Sequence, residues 1–287
     1  MKRLLILLLI LAVAAPASAG FLDKLKKFTD ENSKEGRILA GATAVLSSSQ
    51  EIDYSTERTI GEGLALEGLQ RYGKPVANEE LQRYVNLVGN AVARNGLRST
   101  IPYQFVVVES PLQNAFACPG GIIFISSALL DLLADESELA AILAHEVGHV
   151  GNKHAISSTR RAQFLEGVGK ITAATMRADK GKKVESLVGD LQNILFDKGL
   201  DQGMEYEADR SALETAYRTG YDPEGLLRVL KKLQKLEASS EKKGSWFGTH
   251  PPLAERISRI EGELAKYGDR DGLAKVASRF SRETGHK

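Results

Sequence analysis

The chain has 287 residues, 43% hydrophobic and 26% charged, with 38 basic side chains against 37 acidic ones. That length buries a substantial core without disulfides, as one large domain or two small ones. The near-even charge lacks the basic footprint of a nucleic-acid-binding domain, so no nucleic-acid partner is expected. Residues 1–19 read as a cleavable signal peptide. Lys2 and Arg3 precede an apolar run over 4–15, and Ala17-Ser18-Ala19 supplies the small-x-small cleavage site. The run falls short of the roughly 20 residues of a membrane-spanning helix, and no later stretch reaches that length. An exported protein of the periplasm, soluble or peripherally membrane-associated and with no integral span after cleavage, is expected. Cys118 is the single cysteine, which rules out an intramolecular disulfide and predicts a buried, inert thiol.

Residues 20–55 form an N-terminal segment without a firm pattern, with Phe21, Leu22, Leu25 and Phe28 among Lys24, Lys26 and Lys27. From 56 to 71 apolar residues recur at helical spacing (Ile60, Leu64, Leu66, Leu69). Asn78 caps a second helix carrying Leu81, Val85, Val88 and Val92. The period then shortens: residues 103–109 and 121–126 are β-branched and aromatic, with Asn114-Ala115-Phe116-Ala117 and the turn signal Cys118-Pro119-Gly120-Gly121 between them. Asp135 and Glu138 form a capping box that opens a helix through His149. Helices are predicted over much of 156–200, over 204–219, from the Asp222-Pro223 cap to about 238, and over 253–267, with 268–287 as a tail. The class is α+β, mainly helical, with a small sheet beside the helix of His145; the working domain is placed at 56–267.

His145-Glu146-Val147-Gly148-His149 carries the chemistry. Two histidines four apart on a helix share a face and can converge on one tetrahedral zinc. Glu146 then lies beside the metal's open position, where it acts as general base toward the attacking water and returns the proton to the leaving amine. Gly148 is read as leaving room near the metal. The extended pattern with a third His would need one at position 155, which is Ala155. His154 is one place out and reads as a solvated helix-end residue. A carboxylate is then the third ligand. Glu205 and Asp209, four apart on a helix, are candidates for ligand and for acceptor of a ligand histidine's ring N–H, with Asp190, Asp197 and Asp201 as competitors.

Four segments in order carry a resemblance: Asn114-Ala-Phe-Ala-x-Pro-Gly-Gly121, His145-Glu-x-x-His149, Glu205-x-x-Ala-Asp209 and His250-Pro-Pro-Leu-x-x-Arg-Ile257. Together they resemble the zinc metallopeptidases related to HtpX and the CAAX prenyl endopeptidases, in their soluble periplasmic branch, over about 56–267. The resemblance implies a mainly helical, gluzincin-like zincin fold and one zinc per chain, held by His145, His149 and Glu205. It implies that Asn114 holds substrate or stabilises the transition state. The sheet edge at Asn114, Ala115 and Phe116 is expected to take substrate as an added strand. It also brings His250 close to the metal, either as oxyanion donor or as an inhibitory fourth ligand moved by the run at 242–248. The hydrophobic helices of membrane-spanning relatives are missing, so prenylated substrates are not implied; nor is the C-terminal repeat module of some periplasmic relatives. The expected function is zinc-dependent endoproteolysis of unfolded or misassembled envelope proteins, taken in extended form, with envelope-assembly proteins as possible partners. The competing function is a chaperone-like binder of extended peptides with a structural zinc.

Overall fold

The computed structural model describes residues 33–34, 52–161, 193–239, 250 and 253–285. The expected signal peptide, nearly all of segment 20–55, the helices expected just after 161, Asp190 and the run at 242–248 lie outside these residues.

Helix α1 (Tyr54–Tyr72) starts at Asp53, whose carboxylate accepts from Thr56 N, and α2 (Glu79–Ala93) starts at Asn78, which accepts from Leu81 N. Three strands follow: β1 (Gln104–Val108), β2 (Ala115–Cys118) and β3 (Ile122–Ser126). The sheet order is β1-β3-β2, with β1 parallel to β3 and β2 antiparallel to it. The short β2 was anticipated only as the Asn-Ala-Phe segment between two strands, and it forms one edge of the sheet. Its hairpin to β3 turns on Gly120 and Gly121, at φ +76 and +95, a backbone that side chains with a Cβ rarely adopt.

The sheet is buried on both faces, which explains its nearly continuous apolar strands. Phe105, Val107, Ala115, Ala117, Ile123 and Ile125 face the main core. Val106, Val108, Phe116, Cys118, Ile122 and Phe124 face a second core closed by Ile60, Leu64 and Tyr72 of α1. The two edges differ. On β1, the amide side chains of Gln82 and Asn86 from α2 bond the backbone of Val107 and Phe105, each through both donor and acceptor. That edge is saturated. On β2, Asn114 O accepts from Ser126 N at 2.9 Å. In the antiparallel register Phe116 and Cys118 therefore bond β3, while the N–H and C=O groups of Ala115 and Ala117 face the opposite side.

Helix α4 (Glu136–Gly151), after the single turn α3 (Ser127–Leu130), runs through the centre with every residue from Glu136 to Val150 buried. Asp135 Oδ1 accepts from Glu138 N at 3.0 Å, and Glu138 Oε2 accepts in return from Ala134 N, one residue before the cap, at 2.7 Å. Helices α5 (Gln202–Thr219), α6 (Glu224–Ser239) and α7 (Leu253–Leu264) complete the main layer around it. The role read for Gly148 is corrected here: a Cβ at this position would meet Ser211 Cβ at 3.1 Å and Ala208 O at 3.2 Å. Its small size lets α5 approach α4. The result is a mainly α-helical α+β domain, as expected.

Residues 268–285, read from sequence as a tail, are built into this core. Helix α8 (Ala277–Thr284) buries Phe280 completely. Lys275 O accepts from Glu136 N at 2.9 Å and Ser137 N at 3.3 Å, two N–H groups that a helix start leaves unpaired. Glu136, fully buried, accepts from Tyr84 Oη at 2.8 Å, Tyr221 Oη at 2.5 Å and Arg279 Nε at 2.6 Å. Burial alone would raise its pKa, but Arg279 and the two tyrosines overcome this and hold the carboxyl below its usual value. A lowered folded pKa stabilises the protein above the unfolded value, about 4.3, and that contribution is lost as pH falls through the folded value. Glu136→Gln should therefore flatten the acid limb of unfolding free energy against pH below about pH 4.3. Parallel acid limbs in urea titrations of the two proteins would contradict this.

Candidate metal centre and active site

The middle of α4 and the first turns of α5 meet so that His145, His149 and Glu205 converge. His145 Nε2 lies 2.9 Å from His149 Nε2 and 3.6 Å from Glu205 Oε2, and His149 Nε2 lies 3.4 Å from Glu205 Oε1. A tetrahedral centre with bonds of about 2.0–2.2 Å sets its ligand atoms about 3.3–3.6 Å apart. Two spacings match and the third is shorter. With His250 these residues form a buried group whose ligand atoms all lie within 4.8 Å of one another, so they could hold a metal ion. Beside them Glu146 is 1% exposed, and neither of its carboxylate oxygens has a hydrogen-bond partner among the described residues. An orphaned buried carboxylate next to a His, His, Glu donor set fits a site built around a cation and a water.

The electrostatics follow from burial and neighbours. Burial raises the Glu146 pKa, with His250 and His145 pulling the other way. Glu205 is held well below the carboxylate range: burial would raise it, but the coulombic pull of His250 and Arg256 prevails. Burial would lower His145, yet bonds to Asp209 and Glu205 lift it to about 9, while burial drives His149 well below its ordinary value.

Around this centre Asp209 Oδ1 stands 3.0 Å from His145 Nδ1. His250 Nδ1 is 2.9 Å from Glu205 Oε2, and its Nε2 is 3.4 Å from Ala115 O and 3.9 Å from Glu146 Oε1. Asn114 is buried at the start of β2; its N–H donates to Ser126 Oγ, and its side-chain oxygen has no hydrogen-bond partner among the described residues. Phe116 stacks on Phe124 at 4.7 Å and meets Phe196 edge-on at 5.3 Å. Phe116, Cys118, Ile156 and Leu200 line a cleft that Glu146, His149 and His250 also border. Of the competing aspartates, Asp197 pairs with Arg71 and Asp201 with Arg161 instead.

Two residues escaped the sequence reading. His154 is 2% exposed, not solvated, and its Nδ1 lies 2.9 Å from His149 Nδ1. Arg256, fully buried on α7, grips both oxygens of Asp209 at 2.6 and 2.8 Å, reaches Glu205 Oε2 at 2.9 Å and donates to His250 O at 3.1 Å. Its signal was present in the His-Pro-Pro-Leu-x-x-Arg segment, where only the histidine was given a role.

The family model for peptidase family M48 matches residues 78–264. The chain belongs to peptidase family M48. Its HtpX-like metallopeptidase character is thereby settled; α1, which closes the second core, precedes the matched residues. The chain is 33% identical over 186 residues to the β-barrel assembly-enhancing protease of Yersinia pestis, covering 62% of this chain and 38% of that protein. It is 30% identical over 192 residues to the metalloprotease LoiP of Escherichia coli (strain K12), covering 67% of this chain and 74% of LoiP. A mitochondrial metalloendopeptidase, OMA1 of Bos taurus, is 29% identical over 170 residues, covering 57% of this chain and 32% of OMA1. The match thus spans under half of the Yersinia and bovine proteins and about three quarters of LoiP. Among the described residues no helix is long and apolar enough to cross a membrane.

Proposed function

We propose that the protein is a zinc-dependent endopeptidase acting on exported envelope proteins in extended, unfolded or misassembled form, with Glu146 as general base. The observation that carries this reading is the buried Glu146 carboxylate, without a hydrogen-bond partner among the described residues, beside the cluster of His145, His149 and Glu205. His145 and His149 through Nε2, and Glu205 through its carboxylate, would hold the zinc. When bound, zinc supplies a Lewis acid that polarises the scissile carbonyl and acidifies water. Glu146 takes the proton from the attacking water and hands it to the leaving amine, a role helped by the burial that raises its pKa. Asp209, clamped by Arg256, stands 3.0 Å from His145 Nδ1, placed to take its ring proton and so keep the Nε2 lone pair turned inward.

Substrate recognition follows from the unequal sheet edges. Gln82 and Asn86 close β1, whereas the backbone groups of Ala115 and Ala117 point away from β3, and Ala117 lines the cleft. An extended peptide would add beside β2 and be read mainly by its backbone, which suits unfolded substrates of varied sequence. Asn114, Ala115 and Phe116 are the residues assigned to this contact. Export to the periplasm rests on the leader-like residues 1–19 and on relatives named for enhancing β-barrel assembly. Those names also make envelope-assembly proteins the proposed partners.

Two variants test the centre. Glu205→Gln should lose zinc, measured as metal content after dialysis; full retention would move the third ligand elsewhere. His250→Ala should retain zinc and alter casein cleavage. A rise assigns His250 as an inhibitory ligand, a deep fall assigns it as donor to the oxyanion, and unchanged cleavage removes both roles.

A further inference from the structure

We infer that His154 is a positioning residue for the metal site: its Nδ1 accepts the ring proton of His149 and so fixes which nitrogen of His149 faces the metal. This rests on the reading of His145, His149 and Glu205 as ligands. The two ring nitrogens of His149 have different surroundings. Nε2 points into the cluster, 3.4 Å from Glu205 Oε1, while Nδ1 lies 2.9 Å from His154 Nδ1. A neutral imidazole carries one ring proton, so a lone pair at Nε2 requires that proton on Nδ1. His154 can receive it there only when its own proton sits on Nε2. That nitrogen lies 3.3 Å from Glu207 Oε2, which accepts and never donates when ionised. The Glu207 carboxylate therefore sets the tautomers of two rings in series.

The chain path that builds this relay is local. Helix α4 ends at its cap Asn152, Lys153 takes a left-handed backbone at φ +54, and helical structure resumes at 154. The reversal returns the buried His154 ring to the last turn of α4, with the two ring centroids 5.0 Å apart. The two histidine ligands are thus held differently. His145 is backed by an anion clamped to a buried arginine, whereas His149 is backed by a second imidazole whose anchoring carboxylate is half exposed.

The test is the zinc affinity of the full chain by chelator competition, with thermal unfolding in EDTA measured alongside. His154→Leu removes the acceptor and should weaken zinc binding about 10–100-fold. In His154→Asn the side-chain oxygen stands where Nδ1 stood, and affinity should return to within a few-fold of the parent protein. Should His154→Leu fail to fold, His154→Phe keeps a ring without the acceptor and reads the same quantity. Parental affinity in the acceptor-less variant overturns the inference. So does equal weakening in the Asn variant, which would mean that packing alone matters. Failure of the parent protein to bind one zinc overturns the ligand reading itself, and His154 falls with it.

Discussion

Glu146→Gln should lower the turnover of casein or a denatured outer-membrane protein by about 10²–10⁴-fold, the usual contribution of a positioned general base. The substitution is close to isosteric, so zinc content and thermal unfolding should stay at parental values. The size of the effect follows from the site: both Glu146 oxygens are buried without a hydrogen-bond partner among the described residues, and His250 Nε2 stands 3.9 Å from one of them. A carboxylate held in that condition has no evident structural purpose, which separates a hydrolase from a peptide-holding protein with a structural zinc. Cleavage that persists in Glu146→Gln would sink the proteolytic mechanism. Loss of cleavage with unchanged peptide binding would leave the binder reading unsupported.

Arg256→Met should be the most damaging substitution for stability, costing about 3–5 kcal/mol, because it strips a buried cation from carboxylates that remain buried. The guanidinium is fully enclosed and touches Asp209, Glu205 and the carbonyl of His250, so three groups each lose one partner together. Urea unfolding in the presence of a chelator isolates this from metal binding. Combining it with Asp209→Asn should cost less than the sum of the two single changes, since the second removes the charge that the first abandons. A loss below about 1 kcal/mol for Arg256→Met alone would show that the clamp is not what holds these carboxylates together.

The sequence made the helix of His145 and His149 plain, because a spacing of four on a capped apolar helix has one geometric meaning. Glu205 and Asp209 were readable as a pair for the same reason, although spacing alone did not choose them over the other acids. What escaped notice depended on chain reversal and on long-range pairing. His154 was placed by counting along a straight helix, and a left-handed Lys153 breaks that count without any glycine to announce it. Arg256 was quoted within the His-Pro-Pro-Leu-x-x-Arg segment without a role, since nothing local shows that Asp209 waits for it across the core. Gly148 was misread because the helix it accommodates, α5, follows long after it in the chain. The sheet was legible as β-rich runs, but its edge strand β2 is only four residues long.

The docking of residues 274–280 against the start of α4 bears on the order in which the molecule becomes active. The helix with His145 and Glu146 is synthesised well before His250, Arg256, Lys275 and Phe280, and its first turn and its carboxylate clamp both depend on those later arrivals. A partly made chain would carry the hydrolytic motif without the surroundings that hold it in shape.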